Sequence, residues 1–219
     1  MGYKRIALGG MVPLKTPDIL ACLEAIADVR AVDTELHLLG ITRLESMTEF
    51  AGLGVTSFDS TSSFRQAFMD DRDNYHAPDT TYAAIRVPQV DANLSLKKAI
   101  LAGKVSQADA IIAERESLRC LREYDRGLCG ADSALSAVLQ YESLLGVKKS
   151  YAEMYRRTLE RAPWRACTCG LCAKHGIEMV IFRGSERNKR RGFHNLSVLA
   201  DKMKSLHAAQ MRPLERIAS

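Results

Sequence analysis

No stretch of the 219-residue sequence approaches the roughly 18 consecutive apolar residues that a membrane-spanning helix requires. The opening MGYKRIALGGMVPLKT superficially resembles a secretory leader, but Gly9, Gly10 and Pro13 break its apolar part, and no small-residue cleavage site follows. The pattern for N-terminal myristoylation fails as well, because Ile6 stands where Ser or Thr is needed. Internal repeats and low-complexity segments are absent. What is present, 47% apolar and 26% charged residues, is the composition of a soluble globular protein long enough to bury a core in one domain or two. These absences predict a cytoplasmic protein with no membrane partner. In that setting thiols stay reduced, and clustered cysteines point to metal rather than to disulfides.

The net charge of +5 is unevenly spread. FRGSERNKRRGF (182–193) sets Arg183, Arg187, Lys189, Arg190 and Arg191 against the single Glu186, and Arg156, Arg157, Arg161 and Arg165 precede the cysteines. Such a cluster reads either as a phosphate-facing surface or as a solvated loop.

Three short segments have the character of buried strands: KRIALG (4–9), ELHLLG (35–40) and VTSFD (55–59). Helical patterns alternate with them. Thr16 can cap a helix with Pro17 at its first position and Ile19, Leu20, Leu23 and Ile26 on one face. Thr42 and Glu45 form a capping box for a second helix, with Leu44, Met47 and Phe50 as its stripe and Gly52 or Gly54 ending it. Strand–helix alternation predicts parallel β/α architecture, yet three strands cannot close an eightfold barrel, which takes about 250 residues. From about Asn93 to Arg161 the sequence is helical, with breaks near Gly103, Gly127–Gly130 and Gly146, and Ser150 and Glu153 form a further capping box. After the cysteines come the apolar run IEMVIF (177–182), the basic loop and a helical tail from about Leu196.

Three of the six cysteines, Cys167, Cys169 and Cys172, fall inside RACTCGLC. A thiolate cluster in a reduced compartment suits zinc, which takes four Cys and His ligands in structural sites. Buried or redox-active thiols are the alternative. His175, His194 and His207 are the nearby histidines, with His37 and His76 upstream. His175 lies only three residues past Cys172 and would be strained as a ligand. His194, after IEMVIF, which reads as a strand, and the basic loop, can fold back to the cysteines and is the expected fourth ligand.

Cys-x-Cys-x2-Cys followed some twenty residues later by HNL (194–196) resembles the zinc subdomain of the tRNA-guanine transglycosylase superfamily. ALGGMV (7–12), LLGITR (38–43) and SFDSTSSFR (57–65) resemble that family's last three barrel strands and their loops. GVTSFDSTSSFRQAFMDDRDNY and IFRGSERNKRRGFHN look closest to its DNA-modifying branch, which inserts a 7-deazaguanine into DNA rather than tRNA. The resemblance thus implies a fold in three parts. Residues 1–72 would be the C-terminal piece of a TIM-type barrel with the nucleophile loop, 73–160 a mainly helical region, and 161–219 a zinc-binding subdomain with a basic loop and C-terminal helix.

The activity so implied is guanine replacement by a 7-deazaguanine base in DNA or tRNA, through a covalent aspartyl-glycosyl intermediate. The resemblance places Asp59 at the nucleophile, where the unaided reading is a carboxylate capping the turn STSS. It places Gly9, Gly10, Met11, Leu39 and Gly40 on the base pocket, where glycine admits a flat heterocycle and Met or Leu covers its face. Arg65 corresponds to an arginine near the nucleic-acid backbone, and Arg187, Lys189, Arg190 and Arg191 extend that surface. Asp70, Asp71 and Asp73 are expected to pair with local arginines. Family members carry a longer N-terminal half with a second aspartate for acid–base work, so the chain resembles the C-terminal half alone. It reads as a truncated copy or as a split subunit completed by a second polypeptide. The competing reading is a non-catalytic zinc module that binds nucleic acid or serves as a partner subunit.

Overall fold

The apolar runs near the start of the chain become strands β1 (Arg5–Leu8), β2 (Glu35–Leu38) and β3 (Val55–Phe58), all parallel and in sequential order. The computed structural model describes residues 2–146 and 149–210, the side chains of 207–210 excepted. They divide into two units: residues up to 63 together with those from 202 onward, and Phe64–Asp201. Among the described residues no helix is long and apolar enough to cross a membrane.

In the first unit, Arg5 stands opposite Glu35 and Ala7 opposite His37, while Leu36 and Leu38 face the other way and are fully buried. Two helices cover that leucine face. Helix α1 (Thr16–Ala27) has Pro17 in its first turn, where no N–H is missed, and buries Ile19 and Leu23. The hydroxyl of Thr16 does not cap it. That oxygen accepts from the Arg43 guanidinium at 3.0 Å, and Arg43 also donates to the Leu14 carbonyl. The expected capping box at Thr42 and Glu45 does not form either. A 3₁₀ turn (Leu44–Ser46) starts there instead, leading into the short α2 (Met47–Gly52), which buries Phe50. The opposite face of the sheet carries Ala7 and Ser57, both exposed, beside His37. Among the described residues β1 and β3 each pair on one side only, so both edges of the sheet are open.

The second unit begins on α3 (Ser62–Met69) and a pair of short strands, β4 (Tyr75–His76) antiparallel to β5 (Thr81–Tyr82). Next come β6 (Ile85–Arg86) and the helices α4 (Leu94–Leu101), α5 (Gln107–Asp125), α6 (Ala131–Leu144) and α7 (Ala152–Arg161). Breaks fall at Gly103, Gly127 and Gly146, each in the left-handed region that favours glycine. Ser106 and Asn93 cap α5 and α4, whereas Ser150 accepts only from Ala152 and α7 lacks the expected box. Leu121, Leu135, Val138, Tyr141, Tyr155 and Leu159 join one buried core. IEMVIF is not a strand: Gly176–Val180 is a 3₁₀ turn and only β7 (Ile181–Phe182) is extended, pairing parallel to β6.

The segment expected as a basic loop is helical, the start of α10 (Gly184–Gln210). Arg191, His194, Asn195 and Val198 recur at helical spacing and are all buried. Arg191 is fully buried, and its guanidinium donates to the carbonyls of Ala67, Met179 and Ile181 and to the Asn188 side chain, with the Phe182 ring 5.0 Å away. It is therefore an internal strut and not the phosphate contact expected of it. Arg191→Ala leaves these carbonyls unpaired and opens a cavity, which should cost about 2–4 kcal/mol of stability. Urea denaturation checks this, and an unchanged midpoint would refute the strut.

Candidate functional sites: a metal centre and a strand-end carboxylate

In the second unit, α7 ends with Ala162 in the left-handed region (φ 38°), a backbone turn followed at once by Pro163 and the one-turn helix α8 (Pro163–Ala166). The turn buries Trp164, whose indole donates to Asp125 Oδ1 at 2.8 Å. The other oxygen of Asp125 accepts from the Ile177 backbone at 2.9 Å. One carboxylate at the end of α5 thus pins the chain on both sides of the cysteines. Gly176 (φ 51°) passes so close that a methyl group there would stand 2.3 Å from Asp125 Oδ2.

Between these pins lie the thiols. Cys169 caps the short α9 (Gly170–His175), its sulfur accepting from the Cys172 backbone at 3.4 Å. Cys172 and His194 are buried, while Cys167 and Cys169 are half-buried. The three sulfurs and a ring nitrogen of His194 lie within 4.8 Å of one another. His194 Nδ1 is 3.7, 3.4 and 3.5 Å from the sulfurs of Cys167, Cys169 and Cys172. Tetrahedral zinc, with bonds of roughly 2.3 Å to sulfur and 2.0–2.1 Å to nitrogen, would separate such atoms by about 3.6 Å. The other ring nitrogen faces the His76 carbonyl at 2.8 Å, so Nε2 carries the proton and Nδ1 is free to ligate. Tyr75 stacks on the His194 ring at 4.1 Å, with its hydroxyl 3.2 Å from the Cys172 sulfur.

Burial pushes the Cys172 and Cys167 thiols up and the His194 imidazole down. Each shift favours the neutral form, so thiolates at Cys167 and Cys172 would not form here unaccompanied. A dication offsets that penalty, and a closed set of three sulfurs and one nitrogen fits structural zinc. Of the other histidines weighed, His175 stands apart on α9, His76 contributes its carbonyl, and the side chain of His207 lies outside the described residues. Tyr75, Asp125 and the His76 carbonyl went unnoticed in the sequence, since none belongs to a cysteine–histidine spacing.

In the first unit, a second constellation gathers where the three parallel strands end. Gly9 and Gly10 follow β1, Leu39 and Gly40 follow β2, and Asp59 follows β3. Asp59 Oδ1 accepts from the Gly40 backbone at 2.6 Å, and His37 Nε2 lies 4.0 Å away. The turn after β3 is held by another residue, since the Ser60 hydroxyl receives the Ser62 N–H. Asp59 therefore reaches across to the neighbouring strand end, with its side chain 64% exposed. Gly40 adopts φ 77°, and a methyl group on it would meet the Val12 side chain at 2.7 Å, so this turn requires glycine. Leu39 and both glycines after β1 are exposed, and Met11 is buried in the core beneath them.

Among the expected basic residues, Arg65 and Lys189 are exposed and Arg190 is half-exposed. Arg187 is engaged with Glu178 at 2.6 Å, and Arg183 with Glu114 at 2.6 Å. Three of the four arginines before the cysteines are also spent on structure, Arg156 on Asp132, Arg157 on Thr80 and Thr81, and Arg165 on Asp125 and the Tyr124 carbonyl, while Arg161 is exposed. Of the three aspartates, Asp71 pairs with Arg86 as expected. Asp70 instead accepts the backbone N–H groups of Arg72 and Asp73, and Asp73 accepts from Thr81.

We predict one zinc ion per chain. Cys169→Ser removes one ligand and the cap of α9, so it should give a zinc-poor protein with a lowered melting temperature, because structural zinc binding is coupled to folding. Elemental analysis of purified wild type and variant checks both, and metal-free wild type that remains well folded would refute the site.

No family model matches the chain. Over 207 residues, 93% of its length, it is 48% identical to a DNA-guanine transglycosylase of Salmonella montevideo. The match covers 50% of that protein, so the chain spans about half the length of this relative.

Proposed function

We propose that this chain, which belongs to the tRNA-guanine transglycosylase superfamily and sides with its DNA-modifying branch, supplies the nucleophile and the metal subdomain of a base-exchanging enzyme acting on DNA. The observation that carries the reading is the Asp59 carboxylate, held by the Gly40 N–H where three parallel strands end together. That is the edge where β/α enzymes place their chemistry. The open face and open edges of the sheet support the further reading that β1–β3 are the last strands of a barrel. Its remaining strands would come from another segment or a second polypeptide.

In this reading an Asp59 oxygen attacks the anomeric carbon of the target nucleotide, and the bond from that carbon to guanine breaks. Guanine leaves with the bonding electrons and takes a proton from an acid in the rest of the enzyme. The sugar stays bound as an ester of Asp59. An incoming 7-deazaguanine, having lost the proton from its attacking nitrogen, displaces the carboxylate. Two inversions restore the original configuration without cutting the strand. The Gly40 N–H fixes which lone pair of Asp59 is free to attack. Gly9, Gly10, Leu39 and Gly40 form the wall against which the base lies, with Met11 packed behind them in the core, and in the second unit Arg65, Lys189 and Arg190 bind DNA phosphates. Zinc at Cys167, Cys169, Cys172 and His194 would hold the subdomain together and take no part in the exchange. DNA is preferred over tRNA as substrate because of the relative's name.

Two outcomes are expected. With the remaining barrel half supplied as a separate polypeptide, wild type should form a covalent protein–DNA adduct on a denaturing gel. Asp59→Asn, which keeps shape but loses the nucleophilic charge, should form none while retaining zinc and DNA affinity. An adduct with Asp59→Asn would place the nucleophile elsewhere, and no adduct with either protein would favour the non-catalytic zinc module. Separately, Lys189→Ala with Arg190→Ala should lower the slope of log affinity against log salt by about 1–2, since fewer counterions are released. An unchanged slope would mean these side chains face solvent.

A further inference from the structure

Close to the free cations of the second unit lies a cluster that the exchange chemistry leaves unused. Phe64 and Phe68 of α3 meet edge to face at 5.7 Å, and Phe64 meets Phe193 of α10 in the same manner at 5.1 Å. Phe64 sits directly over Gly192, where a methyl group would come within 2.7 Å of its ring. The outer two rings are solvent-facing: Phe68 is 38% and Phe193 57% exposed. Single exposed apolar side chains are ordinary, but here two exposed phenylalanine rings are braced by a third into one contiguous edge.

The charged residues one helical turn before each outer ring are all basic. Lys189 is four residues before Phe193 and Arg190 three before it, so both neighbour that ring on α10, and Arg65 stands three before Phe68 on α3. Among the described residues, no carboxylate engages any of the three in the way Glu114 and Glu178 engage Arg183 and Arg187. Glu186 is the single acidic residue between Gly184 and His194.

We infer that Phe193 and Phe68 form a stacking ledge for an unpaired nucleobase, with Arg65, Lys189 and Arg190 holding the phosphates on either side. Aromatic rings flanked by cations suit single-stranded nucleic acid, because every base offers a π-face while the cations follow the backbone. Opening a duplex leaves bases without a stacking partner, and the ledge offers a ring face to such a base. The ligand class rests on the base-exchange reading, while the ledge itself rests on the ring geometry.

The test uses the full chain, a fluorescein-labelled single-stranded DNA and the same DNA carrying 2-aminopurine, whose emission is quenched on stacking. Phe193→Ala should weaken binding about 5- to 100-fold. It should abolish the quenching and leave the salt slope and zinc content as in wild type. Phe193→Trp should restore both affinity and quenching. Wild-type affinity and quenching in Phe193→Ala would overturn the ledge and leave the Asp59 chemistry standing. Ledge-dependent binding without any Asp59 adduct would keep the ledge and remove the exchange reading. If Phe193→Ala instead prevents association with the barrel-completing polypeptide and spares DNA binding, the rings are a protein interface. If wild type binds no DNA, the ledge and the exchange reading both fall.

Discussion

Parallel pairing of β1, β2 and β3 is the constraint on which the first unit depends. Strands linked by helices must all run the same way, so the turns after them open on one edge. Residues distant in sequence, Gly9, Gly40 and Asp59, are neighbours for that reason alone. The Gly40–Asp59 hydrogen bond follows from the register, with Leu38 opposite Phe58 and the next residues turning toward each other. Parallel strands normally have both faces covered. Among the described residues, helices cover the face of Leu36 and Leu38, and Ala7 and Ser57 remain exposed on the other. That exposed face and the two open edges support the proposal that β1–β3 belong to a larger closed sheet.

The second unit is organised about polar groups where an ordinary helical core would be apolar. Along α10, Arg191, His194 and Asn195 are buried together, and each has a defined task. Arg191 collects carbonyls from α3 and from the segment before β7. His194 completes the cysteine cluster, and Asn195 takes the His76 N–H and donates to the Asn74 carbonyl. Because β4 supplies both the Tyr75 ring and the His76 carbonyl, the metal centre and the helix are fixed by the same short strand. Elsewhere on α10, Lys189 and Phe193 are exposed.

How much of this was legible depended on the kind of signal. The three parallel strands were short, apolar and bounded by glycines, and the helix breaks at Gly103, Gly127 and Gly146 were marked by the residue type that left-handed turns require. The cysteine spacing and His194 were visible because ligand chemistry restricts residue type. The start of α10 was not. Gly184 and Gly192 suggested a loop, and a helix that buries arginine, histidine and asparagine has no apolar stripe to betray it. IEMVIF misled for the opposite reason, since Ile177, Met179, Val180 and Ile181 are all buried and give no alternation by which to tell a turn from a strand. The two-residue strands β4, β5 and β6 were too short to show any period. Arg191 could not be told from its exposed neighbours, because charge in a run of basic residues says nothing about which one turns inward.

Amide hydrogen exchange along β1 and β3 tests the central claim most directly. With the chain alone, the outward-facing amides of Arg5–Leu8 and Val55–Phe58 have no strand to pair with and should exchange quickly, while the Leu36 and Leu38 amides inside the sheet are protected. Adding the polypeptide that carries the remaining barrel strands should slow exchange at both outer edges together. Protection confined to the metal subdomain, or edges already protected in the isolated chain and unchanged on mixing, would contradict the account of β1–β3 as the closing strands of a barrel.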